Sequence, residues 1–213
     1  MTRPAISAPP IEPILARAPI IPVLTVEWVG DALPLARALV AGGLPVLEVT
    51  LRTEAALAAI RAMSSLEGAL VGAGTVLTPA DLDAVAAAGA AFAISPGSTD
   101  GLLAAGRTSA IPLLPGVASA SEIMRGHDFG YRCFKFFPAA IAGGPAALKA
   151  FAGPFGDVRF CPTGGITAAN LGDYLGLPNV LCVGGSWMVS GQQDLAQVEQ
   201  AARDAVTLAR AGR

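Results

Sequence analysis

The chain is short of charge. Only 14% of its 213 residues are charged, against 53% apolar. Fourteen basic residues face sixteen acidic ones, a net charge of -2, and this leaves no electrostatic footprint for nucleic acid. Histidine occurs once, His127, in a polar stretch beside Asp128. With the acids scattered, no divalent metal site and no metal-assisted chemistry is expected. The three cysteines, Cys133, Cys161 and Cys182, are odd in number and widely spaced. They read as reduced thiols packed as small core residues in a cytoplasmic protein. Long apolar runs are also missing. None reaches the ~18–20 residues that a membrane helix needs before Gly, Pro or a charge interrupts. Residues 1–13, MTRPAISAPPIEP, are broken by proline and lack an apolar secretory core. They are expected to form a mobile arm. Residues 14–213 then suffice for one domain with a large core. Its excess of alanine and short apolar runs fits a fully wrapped interior and a buried subunit interface.

Lysine is nearly absent. Lys149 falls in a polar-faced helical stretch, and Lys135 falls in Tyr131-Arg132-Cys133-Phe134-Lys135-Phe136-Phe137-Pro138. That aromatic run, ended by proline, reads as a buried strand. Alternation places Cys133, Lys135 and Phe137 on one face and Phe134 and Phe136 on the other. An ammonium among phenylalanines is costly unless it is used or paired. Desolvation favours the neutral amine, and a neutral amine attacks ketones to form a Schiff base. The alternative is a lysine that snorkels to the strand end or pairs with a carboxylate.

Strands are expected at 19–24, 46–49, 69–72, 91–94, 111–114, 131–137, 158–161 and 179–183. Helical patterns separate them, with Thr53, Thr78 and Thr167 placed to open three of the helices. Eight strand–helix alternations, with strands apolar on both faces, predict a (β/α)8 TIM barrel as a single α/β domain. A doubly wound sheet is the rival, but Gly72-Ala73-Gly74 lacks the third glycine of a dinucleotide fingerprint.

Active sites of such barrels gather where the strands run out. Glu48 sits between apolar neighbours in the second strand and suits proton shuttling; an ion pair with Arg52 or Lys135 is the structural alternative. Arg52 can clamp a carboxylate in a bidentate way. Thr163-Gly164-Gly165 and Gly184-Gly185-Ser186 follow the last two strands, where bare backbone N–H groups bind phosphate.

The stretches EVTLRT (48–53), VGAGTVL (71–77), AISPG (93–97), PLLPG (112–116), FKFFPA (134–139), CPTGGI (161–166) and GGSW (184–187) resemble the 2-keto-3-deoxy-6-phosphogluconate (KDPG) and 4-hydroxy-2-oxoglutarate (KHG) aldolase family over most of the chain. The resemblance implies a class I aldolase without metal or cofactor, acting as a homotrimer on a small 2-keto acid phosphate. It implies Lys135 as the Schiff-base lysine and Glu48 as the proton carrier. Arg52 and Thr75 would hold the pyruvate carboxylate, with Pro96 and Phe137 as pocket walls and Thr163 beside the substrate. Gly164, Gly165, Gly184, Gly185 and Ser186 would hold the phosphate. Rival readings are an aldolase for the 6-phosphogalactonate epimer, an isomerase barrel, and a phosphosugar-binding barrel that does not react.

Overall fold

The computed structural model describes residues 8–190 and 194–212; the outer part of the expected arm, residues 1–7, lies outside the described residues. The fold is α/β, built on a curled sheet in which the paired strands run parallel. A short helix α1 (Glu12–Leu15) leads into β1 (Ile20–Leu24), α2 (Val29–Ala41), β2 (Val46–Thr50), α3 (Ala56–Met63), β3 (Leu70–Gly74) and α4 (Pro79–Ala87). Then come β4 (Ala93–Ile94), α5 (Asp100–Gly106), β5 (Leu113–Leu114), β6 (Gly116–Val117), α6 (Ala120–Asp128) and β7 (Cys133–Phe136). The chain continues through α7 (Gly144–Ala152), β8 (Arg159–Pro162), α8 (Leu171–Leu175), β9 (Val183–Gly185) and α9 (Leu195–Ala211).

Local chemistry sets several boundaries. Thr78 accepts the Asp81 amide, and the Asp81 carboxylate accepts the Thr78 amide at 2.9 Å, a reciprocal cap that opens α4 with Pro79 at its first position. Ser119 and Glu122 repeat the device at α6. Thr53 does not cap α3 as its sequence position predicts. Its hydroxyl donates to the Val26 carbonyl at 2.6 Å, and the helix begins only at Ala56. Thr167 is likewise outside α8: Asn170 Oδ1 accepts its amide at 2.8 Å and the helix starts at Leu171.

The ladders run β5-β4-β3-β2-β1-β9 in one sheet and β6-β7-β8 in the other. The paired strands therefore fall into two sets of ladders. The fifth expected strand divides at Pro115, which has no N–H to continue a ladder. β5 pairs with β4, while β6 pairs with β7, and the Pro115 carbonyl accepts the Lys135 amide at 2.9 Å. Isolated parallel bridges, Phe160↔Val180 and Thr163↔Gly184, lie between the β8 and β9 segments.

Side-chain alternation divides the core. Phe134 and Phe136 turn outward beneath the helices, where Phe136 meets Phe151 and Phe160 edge-on. The inward face near the strand starts holds Ile21, Val46, Phe92, Leu114 and the thiols of Cys133, Cys161 and Cys182. Ile11 and Leu15 close that end, and the Ala8 amide donates to the Arg107 carbonyl at 3.0 Å. Residues 8–13 of the expected arm thus rest on the body of the fold. Among the described residues, no helix is long and apolar enough to cross a membrane.

Candidate active site

β2 and β7 bring two charged side chains to the same interior point. Glu48, Thr50, Cys133 and Lys135 alternate inward along these strands. Lys135 Nζ donates to Glu48 Oε1 at 2.9 Å. Lys135 is 5% exposed and Glu48 1%, so neither charge has water to solvate it. The sequence left two readings open, a lone dry amine or an ion pair, and the structure pairs it. Two facing groups offset each other's desolvation, which one alone does not achieve. The ammonium also lies 5.3 Å from the centroid of the Phe137 ring.

Phe137 connects this pair to a cavity of about 200 Å³ at the strand ends, which Val23, Arg52, Thr163, Gly164, Gly165, Ile166, Gly184, Gly185 and Ser186 also line. Eight of the predicted site residues therefore meet in one concavity with Val23 and Ile166. Larger hollows, of about 310 Å³ beside α1 and about 520 Å³ between α2 and α9, hold neither the lysine nor the glycine pairs. Gly164 and Gly165 have φ of 100° and 75°, a left-handed backbone that glycine adopts without strain. Among the described residues, the amides of Gly165 and Ser186 donate to no protein acceptor. Thr163 Oγ1 is buried and has no hydrogen-bond partner among the described residues. Arg52 is exposed at the rim and has no ion-pair partner among the described residues. A cavity lined by spare N–H donors, a hydroxyl and a guanidinium is equipped for an anion.

Besides Lys135 and Glu48, two predicted residues lie outside that lining. Thr75 follows β3 with φ of 61°, a left-handed conformation costly for a β-branched residue. Pro96 follows β4, and its carbonyl group packs so closely on Gly116 that no Cβ fits there. Residues 166–170 separate Gly165 from α8, which follows it. Sequence reasoning passed over Thr50, whose buried hydroxyl donates to the Leu24 carbonyl at 2.9 Å and bonds Thr25 at 3.2 Å. It also passed over Ser95, whose hydroxyl accepts the Gly116 amide at 3.3 Å. The signal for both was a polar residue at the end of an apolar strand. Among the described residues, no His/Cys/Asp/Glu cluster has the makings of a metal site.

A dry amine against a carboxylate at the ends of parallel strands, next to an anion cradle, is the equipment of a class I, Schiff-base-forming lyase. The sequence model of the KDPG and KHG aldolases matches residues 11–201, and the chain belongs to that family. It is 55% identical over 201 residues to the 2-dehydro-3-deoxy-phosphogluconate aldolase of Pseudomonas aeruginosa, covering 92% of this chain and 91% of that protein. It is 53% identical over 200 residues to the KHG/KDPG aldolase of Escherichia coli, covering 92% and 94% respectively. A KDPG aldolase from Legionella pneumophila, solved with pyruvate captured as a covalent carbinolamine, superposes with a TM-score of 0.90 at 50% identity, covering 93% of this chain and 98% of that one.

Proposed function

We propose that this chain is a class I aldolase, a lyase that cleaves 2-keto-3-deoxy-6-phosphogluconate reversibly to pyruvate and glyceraldehyde 3-phosphate, and that it also accepts 4-hydroxy-2-oxoglutarate. The observation that carries this is the buried contact of 2.9 Å between Lys135 Nζ and Glu48 Oε1. Proton transfer across that contact gives a neutral amine and a carboxylic acid together. The amine attacks the C2 carbonyl of the substrate. The acid protonates the carbinolamine hydroxyl, which leaves as water, and a protonated imine forms. Glu48, now a carboxylate, takes the proton of the C4 hydroxyl. The C3–C4 bond breaks, its electron pair enters the imine, and glyceraldehyde 3-phosphate departs. The enamine left on Lys135 takes a proton at C3, and water releases pyruvate.

Arg52 and Thr75 hold the pyruvate carboxylate, Pro96 and Phe137 wall the reacting carbons, and Thr163 offers its unpaired hydroxyl. Gly164, Gly165, Gly184, Gly185 and Ser186 bind the phosphate, so binding energy far from the breaking bond orients it. We further infer that the strands close as a (β/α)8 barrel. Counting β5 and β6 as one strand around Pro115 gives eight, and the two bridges between the β8 and β9 segments support closure. The domain would take in residues 8–13 as well as the expected 14–213, since Ile11 is buried and α1 crosses that boundary. A homotrimer is supported by apolar side chains left in solvent, Trp28 at 74% and Ile141 at 86% exposure. Three cysteines carried as buried thiols support a reducing, cytoplasmic setting.

Borohydride reduction in the presence of pyruvate, followed by peptide mapping, is expected to place one covalent adduct on Lys135. An unmodified Lys135 peptide in an enzyme that still cleaves KDPG would overturn the mechanism. Cleavage rates on KDPG, its galactonate epimer and 4-hydroxy-2-oxoglutarate then rank the substrates.

A further inference from the structure

Two inward-facing glycines are filled by the side chain of the neighbouring strand. A Cβ on Gly184 would lie 2.9 Å from Cγ2 of Thr163 and closer still to its hydroxyl. A Cβ on Gly74 would lie 2.8 Å from both Cγ and Cδ of Glu48 and closer still to Oε1. In the second case the backbone at Gly74 does not demand glycine. Its φ is not left-handed, so an alanine there meets no backbone penalty. The three atoms nearest to such a Cβ all belong to the carboxylate arm of Glu48. Two residues earlier on β3, Gly72 is filled by the ring of Phe92, which belongs to the apolar interior and not to the site.

The geometry points to Gly74 as a positioning residue: its missing side chain is the slot that seats the Glu48 carboxylate against Lys135. This inference rests on the role of Glu48 given above. Glu48 stands opposite Gly72 in the β2–β3 register, and Gly74 opposite Thr50. The glutamate side chain therefore leans one step up the barrel, across the β3 backbone. Any atom at the Gly74 Cβ position pushes the carboxylate off that path. It then leaves hydrogen-bond reach of Nζ, and each proton step assigned to Glu48 loses its geometry. Displacement of a catalytic group by about 1 Å costs on the order of 10²-fold in rate. Substrate binding at Arg52 and the glycine cradle is untouched, so the loss falls on kcat and not on KM.

The test is a cycle of Gly74→Ala, Glu48→Ala and the double variant, with Gly72→Ala as comparator, read by KDPG cleavage kinetics and thermal unfolding. Gly74→Ala is expected to lower kcat about 10–100-fold, with KM within about two-fold. Once Glu48 is alanine, the second change is expected to cost no further activity. Gly72→Ala is expected to lower Tm, with the kcat of the folded fraction retained. Should Gly74→Ala prove too unstable to assay, the double variant is expected to recover the Tm of Glu48→Ala alone, because the colliding side chain is gone. Wild-type kcat in Gly74→Ala, or a multiplicative loss in the double variant, would overturn the role of Gly74 while leaving the aldolase reading intact. An unimpaired Glu48→Ala enzyme would remove the aldolase assignment of Glu48, and the Gly74 proposal with it.

Discussion

Lys135→Met removes the amine and leaves the carboxylate of Glu48, 1% exposed, without its counter-charge. Breaking a buried pair from one side costs about 3–5 kcal/mol, because the remaining charge is stranded. Little solvent screening reduces that figure here, since the lysine itself is only 5% exposed. A domain of this size loses about 2–4 °C of Tm per kcal/mol, which places the drop at about 6–20 °C. Glu48→Gln strands the ammonium instead and should fall in the same range. The double variant K135M/E48L replaces both partners with apolar groups of similar volume. Buried pairs replaced in this way are often neutral or more stable, so the double variant should sit near wild type. The double-mutant cycle then yields a coupling energy of several kcal/mol. Thermal and urea unfolding of the four proteins measures it without reference to catalysis. A Tm for K135M within about 2 °C of wild type, or a double variant as unstable as the two singles added together, would refute the dry ion pair.

Thr163→Val deletes a buried hydroxyl that has no partner, so unfolding should show a change of less than about 1 kcal/mol while substrate turnover falls. Equal losses of stability and turnover would make the hydroxyl structural. Gly164→Ala forces a side chain onto φ of 100°, 3.3 Å from Pro138 Cα and 3.4 Å from the Phe137 ring, a strain of about 1–3 kcal/mol. KDPG cleavage should suffer more than 4-hydroxy-2-oxoglutarate cleavage, because only the former carries a phosphate; an equal loss on both would detach Gly164 from phosphate binding. Burial, with the Glu12 carboxylate beside it, pushes the Cys133 thiol up to about 12. The folded value exceeds the ordinary 9.0, so this group favours the fold below pH 9.0 and the contribution drains away as pH rises towards 12. Iodoacetamide at pH 8 should leave Cys133 unmodified until the chain unfolds; rapid labelling of the native protein would refute its burial.

Much of the fold was legible because short apolar runs and caps are local signals. Thr78 and Ser119 each stand three residues before an acid, and both open helices as that spacing implies. Thr53 has Ala56 and not an acid three residues on, and its hydroxyl instead donates to a carbonyl 27 residues away. The division of the fifth strand turns on which partner each half finds, and one proline cannot announce that. At the site, alternation placed Lys135 inward, and the pairing with Glu48 was one of two open readings. It joins residues 87 positions apart, and no local pattern selects it. Gly74 was not legible at all. The meaning of an inward glycine lies in the neighbouring strand's side chain, and VGAGTVL reads equally well as a tight turn.

The placement of the site follows from how polarity is distributed along the strands. Among the described residues, six polar or charged ones are fully buried: Glu48, Thr50, Ser95, Lys135, Thr163 and Asn179. Asn179 donates to the Leu148 carbonyl of α7 and belongs to the outer layer. The other five sit on or just after β2, β4, β7 and β8, towards the ends where those strands run out. At the opposite end the inward positions are thiols and aliphatics, closed by Ile11 and Leu15. The charged pair lies between the strand-end cavity and this apolar end. A ketone entering past Arg52 meets the amine where solvent gives out. Deeper, no partner would offset the charge; nearer the rim, water would compete for the carboxylate and hydrolyse the imine early. On the mechanism proposed above, the apolar lower half would belong to the catalytic apparatus, because it would fix the depth at which Lys135 can stay paired and still be reached.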